Sequence, residues 1–176
     1  MVHSPVIAPP QPEDAGDWFD FLVAQQAEAY RGIVPDDFAD RQRLQRDERV
    51  QELREKFAEP GTGRRLAAKV AGRIVGVVSV VDAPMDWETA LGFVPAPEPR
   101  QLDRLYLHPE FRNRGLGSAL LDAVDDGRDL YLWLVSANRA AQRFYRRHGF
   151  VDLDESHRAG QSWGGVAMHR MVRRRP

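Results

Sequence analysis

Hydrophobic residues change their spacing along the chain, and each change marks an element. Between Asp14 and Tyr30, the residues Trp18, Phe21, Leu22, Gln25 and Ala29 fall near one face at the helical period, which predicts a helix. Phe38, Leu44, Val50, Leu53 and Phe57 then predict a second, highly charged helix over Asp36 to Ala58, stopped by Glu59-Pro60-Gly61. The period shortens after that. RRLAAKV and RIVGVVSVV, split by Ala71-Gly72, predict a β-hairpin. LDRLYL (102–107) predicts a strand ended by His108-Pro109, and Leu116, Leu120 and Val124 predict a helix from Gly115 to Asp125. LYLWLV (130–135) is apolar throughout, as a strand covered on both faces would be. A last helix is predicted from Asn138 to His148, with Asn138 as its N-cap and Gly149 at its C-terminal end. Residues 4–9, 150–153 and 166–171 are expected to be further strands.

The order β, α, α, β, β, β, α, β, α, β, β predicts an α/β fold: a mixed central sheet of about seven strands flanked by about four helices. With 176 residues, one domain over 1–176 is expected. The stretch 82–101 has four prolines and no period, and is expected to be a long loop, functional or mobile.

Composition narrows the chemistry. There is no cysteine, which removes disulfides, thiolate metal sites and cysteine nucleophiles. Net charge is −1, which argues against a nucleic-acid partner. No apolar run reaches the length of a membrane span, and MVHSPVIAPPQPED lacks the basic start and apolar core of a signal peptide, so no membrane partner and a cytoplasmic location are expected. His3, His108, His148, His157 and His169 stand at no metal-ligand spacing, so no metal is expected. No Gly-x-Ser-x-Gly elbow supports a serine hydrolase. The tail Arg173-Arg174-Arg175 reads as a solvated end.

The stretch RNRGLGSALL (112–121) is where chemistry concentrates. A helix N-terminus offers unpaired N–H groups and the positive end of a dipole, both suited to an anion. Gly115 and Gly117 admit a phosphate close to the backbone, Arg112 and Arg114 add charged donors, and Ser118 adds a hydroxyl. Walker A requires a lysine that is absent here, and the dinucleotide fingerprint requires a glycine where Leu120 stands. A glycine-rich turn that binds nothing stays open on spacing alone.

Arg112-x-x-Gly115-x-Gly117, following LDRLYLHPEF, resembles the acetyl-CoA signature of the GCN5-related N-acetyltransferases. Leu132-Trp133-Leu134-Val135, then Asn138 to Tyr145, then His148-Gly149-Phe150 match further downstream, and Tyr30 to Pro35 resembles the family's turn between its first two helices. The resemblance covers nearly the whole chain. It implies acetyl-CoA as donor, with the amides of Arg112, Asn113, Arg114, Gly115, Leu116, Gly117 and Ser118 holding its pyrophosphate. It implies that Leu105, Tyr106 and Leu107 pair through their backbone with the pantetheine arm, between strands that splay apart, and that Asn138 bonds the arm from the far side. Phe144 would pack while Tyr145 meets the departing thiolate as general acid. Helical spacing alone places Tyr145 in the core, so the two readings differ.

The implied reaction is direct acetyl transfer to a primary amine of a small molecule or peptide, helped by proximity and by a main-chain N–H near Leu107. Asp103 is the candidate base, with a strand aspartate paired to Arg104 or Arg64 as the other reading; a bound amine can also lose its proton to solvent. A non-catalytic acyl-CoA-sensing module is the rival function, and a homodimer is compatible with the family. The resemblance places the acceptor among residues 30–38, 82–101 and 154–165. Met85, Trp87, Leu91, Phe93, His157 and Trp163 either wall a pocket or pin loops, and Asp36, Asp37, Asp86 and Glu88 either attract a cation or are solvated.

Overall fold

Helices cover both faces of one sheet because two of its strands are apolar on both sides. The computed structural model describes residues 4–175, so the expectations touching residues 1–3, His3 among them, and Pro176 lie outside the described residues. The chain runs β1 (Val6–Ala8), α1 (Ala15–Ala29), α2 (Phe38–Leu44), α3 (Arg46–Ala58), β2 (Arg64–Val70), β3 (Arg73–Asp82), α4 (Asp86–Ala90), β4 (Arg100–Leu107), α5 (Leu116–Val124), β5 (Leu130–Val135), α6 (Arg139–Arg147), β6 (Val151–Asp152), β7 (His157–Arg158) and β8 (Ala167–Arg173). The strands lie in the order β1-β2-β3-β4-β5-β8-β6, with β7 also paired to β8. On one face Val78, Val80, Leu130, Leu132 and Leu134 pack with Leu120, Leu121 and Val124 of α5. On the other, Ala67 and Val77 pack with Trp18, Phe19 and Val23 of α1 and with Val50 and Phe57 of α3.

The structure departs from the sequence expectation in several places. Among the described residues, eight strands stand where about seven were expected and six α-helices where about four were. The second helix is broken at Gln45 (φ −101°, ψ 12°) into α2 and α3. The cause is that its apolar residues serve different cores: Phe38 packs with Tyr30 and Val34, whereas Val50 and Phe57 pack beneath α1. Leu44, expected on the apolar face, ends α2 and is 86% exposed. The stretch 82–101 contains α4, whose five residues are too few to show a period. The arginine tail is not a free end: Arg173 sits in β8 and donates to Asp125 at 3.0 Å, Arg174 to Glu98 at 2.6 Å, and Arg175 pairs with Asp125 as well. Among the described residues, no helix is long and apolar enough to cross a membrane.

Two irregularities set up the site. Strands β4 and β5 are parallel neighbours whose ladder holds only Gln101 against Tyr131; beyond that pair they diverge. In the β3–β4 ladder Ser79 faces Arg104 while Val80 faces Leu102, which leaves Asp103 as the extra residue of a β-bulge.

Candidate active site

The divergence of β4 and β5 opens a cleft of about 760 Å³ between α1, α5 and α6. Its walls include Asp103, Leu105, Tyr106, Leu107, Arg112, Asn113, Gly115, Gly117, Ser118, Asn138, Phe144 and Tyr145, so most of the residues singled out in the sequence meet there. Arg114 is exposed on the turn and Leu116 is buried in the core beneath α5; neither side chain lines the cleft. Glu28, Tyr30, Trp133, Arg147 and His148 line it too. Apart from Tyr30, which the resemblance put in the acceptor segment 30–38, they escaped the sequence reading as lining groups, because helix and strand spacing says nothing about which elements face each other across a gap.

Backbone alternation leaves β4 with an open edge. His108 N–H donates to Val75 O, so the pairs that bond to β3 are 108 with 75, 106 with 77 and 104 with 79. The main-chain groups of Leu105 and Leu107 therefore point the other way, toward β5, where no ladder continues. The Leu107 carbonyl accepts from Arg112 Nε at 3.2 Å, which leaves the Leu105 groups and the Leu107 N–H facing the cleft.

The turn before α5 presents a second set of donors. Asn113 (φ 59°) and Gly115 (φ 83°) are both left-handed, which brings the chain sharply into the helix. The first intrahelical bond runs from Ala119 N–H to Gly115 O, so the amides of Leu116, Gly117 and Ser118 have no acceptor within the helix. Gly117 lies where two elements nearly touch: a Cβ there would stand 3.2 Å from Phe144 Cε2 and 3.3 Å from Leu107 Cδ1. Its lack of a side chain serves packing of α5 against β4 and α6.

The polar side chains of this end are more occupied than the sequence suggested. Arg112 donates to Glu28 and to Gln25 Oε1 at 3.3 Å, so its guanidinium ties the turn to α1. His148 Nδ1 lies 2.9 Å from the Phe144 carbonyl, which can only accept. Nδ1 therefore carries a proton, and in the neutral ring His148 Nε2 accepts from Ser118 Oγ at 2.9 Å. The Ser118 proton is thus directed at His148. Asn138 caps α6, its Oδ1 accepting from Ala141 N–H at 3.1 Å, and its Nδ2 is the donor left over.

At the other end stand three phenols. Tyr30 and Tyr106 hydroxyls are 3.0 Å apart. Tyr145 is 9% exposed, its ring packed at 5.6 Å on Phe150 while the residue also lines the cleft, so core packing and cleft access coexist. Burial, with Tyr106 adding to it, pushes the Tyr145 phenol above its ordinary value; burial and Tyr106 do the same to Tyr30. Asp103 pairs with Arg104 Nη1 at 2.6 Å and accepts from Ser79 Oγ at 3.3 Å, which is the ion-paired reading of this residue, with Arg104 as the partner.

The three loops expected around the acceptor behave differently from one another. Trp163 packs on Tyr30 at 5.4 Å and on Phe38 at 4.9 Å, closing residues 30–38 against 154–165. Trp87 and Phe93 instead pin their segment to Trp133 of β5, at 5.4 and 5.1 Å, and Phe93 also meets His157. Glu88 is fully buried and accepts from Tyr131 Oη at 2.6 Å and Trp133 Nε1 at 2.7 Å, so it offers no surface charge to a cation. Through Trp133 this aromatic stack becomes the back of the cleft wall.

The chain is similar to known proteins both in sequence pattern and in fold. The family model described as "Acetyltransferase (GNAT) domain" matches residues 61–152. The PaiA N-acetyltransferase from Thermoplasma acidophilum, solved in complex with coenzyme A, superposes with a TM-score of 0.71 at 17% identity, covering 98% of this chain and 100% of that one. An acetyltransferase from Thermus thermophilus gives 0.60 at 23% identity, covering 98% and 97%. Ard1 from Thermoplasma volcanium gives 0.62 at 19%, covering 97% of each chain. No curated protein matches the sequence significantly. The similarity to these structures is one of fold, and the family model carries the assignment: this chain belongs to the GNAT family of acetyltransferases.

Proposed function

We propose that the protein is an acetyl-CoA-dependent N-acetyltransferase that passes the acetyl group directly to a primary amine within a ternary complex. The observation that carries this reading is the unpaired edge of β4 at Leu105 and Leu107, facing a cleft that contains the Tyr145 side chain. Coenzyme A fits the donor set: a neighbouring fold binds it, an extended amide-bearing arm matches an open strand edge, and a diphosphate matches the amides of Leu116, Gly117 and Ser118. When bound, acetyl-CoA supplies the acetyl group as a thioester.

The chain's own residues do the rest. The Leu105 and Leu107 backbone groups align the arm, Asn138 Nδ2 donates from the α6 side, and the amides at the start of α5 hold the phosphates. The Leu107 N–H donates to the carbonyl oxygen, where negative charge grows during transfer. Tyr145 keeps its proton at neutral pH because burial raises its phenol, and that proton goes to the sulfur as it leaves. Asp103, held by Arg104 and Ser79, accepts a hydrogen bond from the acceptor amine while the amine's proton passes to solvent.

The test is thiol release from acetyl-CoA with a panel of amines, run beside calorimetry of coenzyme A binding. Saturable binding with amine-dependent thiol release is expected. Binding without release for any amine would make the protein an acyl-CoA-sensing module, and absence of binding would remove the cofactor assignment as well.

A further inference from the structure

One hydrogen-bond chain at the start of α5 runs in the wrong direction for an anion. It begins at the Phe144 carbonyl, which can only accept and lies 2.9 Å from His148 Nδ1. The ring spends its Nδ1 proton there, and in the neutral ring Nε2 is a bare lone pair. Ser118 Oγ, 2.9 Å from Nε2, spends its single proton on that lone pair. Towards any third partner the hydroxyl then turns lone pairs alone. Yet Ser118 lines the cleft, and its amide is one of three at the start of α5 that have no acceptor within the helix. Amide and hydroxyl of one residue thus make opposite demands on a ligand.

The imidazole is held at both nitrogens and on one face, where the Phe144 ring packs at 4.3 Å. His148 follows the last turn of α6, a helix end that favours cations. The charged groups of the elements packed around it are few. On α6, Arg147 lines the same cleft and Arg143 stands one turn back, both exposed. On α5, Asp122 is the sole titratable group; it is exposed and acts on Arg173 of β8. In the turn before α5, Arg112 is engaged by Glu28 and Arg114 is exposed, while His108 at the end of β4 lies against Glu110. Among the described residues no carboxylate bonds to His148, so a positive charge on the ring has no partner until an anion enters.

Resting on the reading that the α5 turn holds the phosphates of coenzyme A, we propose that His148 is a positioning residue: it gains a proton when the diphosphate binds and so turns the Ser118 hydroxyl towards it. The proton comes from solvent and forms an N–H bond at Nε2; no other covalent bond changes. Nε2 then donates to Ser118 Oγ, and Ser118 keeps its own proton and donates it to a phosphate oxygen. The carbonyl of Phe144 fixes the direction of the chain, so the extra proton is what lets Ser118 donate to the ligand while both ring nitrogens stay bonded. An anion within reach favours the charged form of an imidazole, and hydrogen bonds to an ionised acceptor are about twice as strong as neutral ones.

The experiment is calorimetry of coenzyme A binding at pH 7 in buffers of different ionisation enthalpy, which counts the protons taken up. The parent protein is compared with His148→Gln, which keeps a polar side chain that does not titrate; the ligand is the same in both, so its own phosphate protonation cancels in the difference. Imidazoles ordinarily titrate at about 6.5, and the parent is expected to take up about half a proton more than the variant. From pH 8 to pH 6 its affinity is expected to rise about fivefold more than the variant's. At pH 6 the effects of Ser118→Ala and His148→Gln are expected to be non-additive, because both break one chain. Equal proton counts in parent and variant, with coenzyme A still bound, overturn the proposal and leave the cofactor reading standing. A loss of affinity in His148→Gln that is the same at every pH marks a structural role and overturns it too, as do additive effects of the two substitutions. Absence of coenzyme A binding to the parent overturns both the proposal and the cofactor reading.

Discussion

Arg112, in the turn before α5, reaches across the cleft mouth to Glu28 at the end of α1, with guanidinium and carboxylate 3.3 Å apart. Together with its bond to the Leu107 carbonyl, this makes Arg112 a tether for the turn proposed above to hold the phosphates. Glu28→Gln separates the two roles an arginine has here. Loosening a tether weakens coenzyme A binding, whereas releasing a phosphate donor strengthens it. Both groups are partly exposed, so a weakening of about two- to fivefold is expected in calorimetry. Tighter binding in the variant would return Arg112 to direct phosphate contact.

Gly117 is the second probe of this end. Its Cβ position lies 3.2 Å from Phe144 and 3.3 Å from Leu107, closer than side chains normally approach. Gly117→Ala is expected to displace Phe144 and weaken coenzyme A binding, and Gly117→Trp to abolish binding through a clash at the cleft wall. Far-ultraviolet circular dichroism checks that the sheet survives. Unchanged affinity in both variants would detach the α5 turn from the cofactor.

Tyr145→Phe keeps the ring on Phe150 and deletes only the hydroxyl. Loss of a general acid lowers turnover by about a hundredfold with little change in acetyl-CoA KM. Because burial raises the phenol, turnover of the parent protein is not expected to fall from Tyr145 ionisation below pH about 10. Equal turnover in the variant would confine Tyr145 to packing.

Glu88 anchors α4 to β5. Glu88→Leu leaves Trp133 Nε1 and the Met85 N–H without their acceptor and Tyr131 Oη with the longer contact to Gln101 Oε1 at 3.3 Å. A loss of about 2–4 kcal/mol in urea unfolding is expected, since buried donors left unpaired are costly. The acceptor KM is expected to rise with it, because Trp133 lines the cleft.

Glu155 sets part of the acid limit. Although burial works against its charge, hydrogen bonds from Arg170, with His157 Nε2 standing 3.2 Å away, hold its carboxyl at about 2, against an ordinary 4.5. A depressed carboxyl contributes its stability fully above its unfolded value and loses it as pH falls through the folded one. Midpoints of urea unfolding are thus expected to fall between pH about 5 and 2, less steeply in Glu155→Gln. An identical pH slope in the two proteins would show that Arg170 gains nothing from this pair.

Much of this molecule was legible in one dimension. The hairpin across Ala71-Gly72, the α5 and α6 helices and the apolar β5 strand follow from spacing and end signals, because those elements pack one continuous face or are covered on both. The donor-rich turn was equally plain, since glycines before a helix act through the local backbone. What spacing did not reveal is wherever a residue serves a distant partner. Gln45 breaks a helix because its two halves answer to different cores, and α4 exists because Glu88 finds Tyr131 and Trp133 across more than forty residues. Arg173 to Arg175, which look like a solvated tail, are held by Asp125 and Glu98.

The sequence by itself determined the alternation of strands and helices and the open amides at the start of α5, since both depend on neighbours a few residues apart. Only the tertiary structure decided that β4 and β5 part after a single pair and that Arg112 turns to Glu28 across the cleft mouth. The reason is physical: ladder register and ion pairing are set by the whole folded surface, and a residue's charge carries no record in the sequence of the group it will meet.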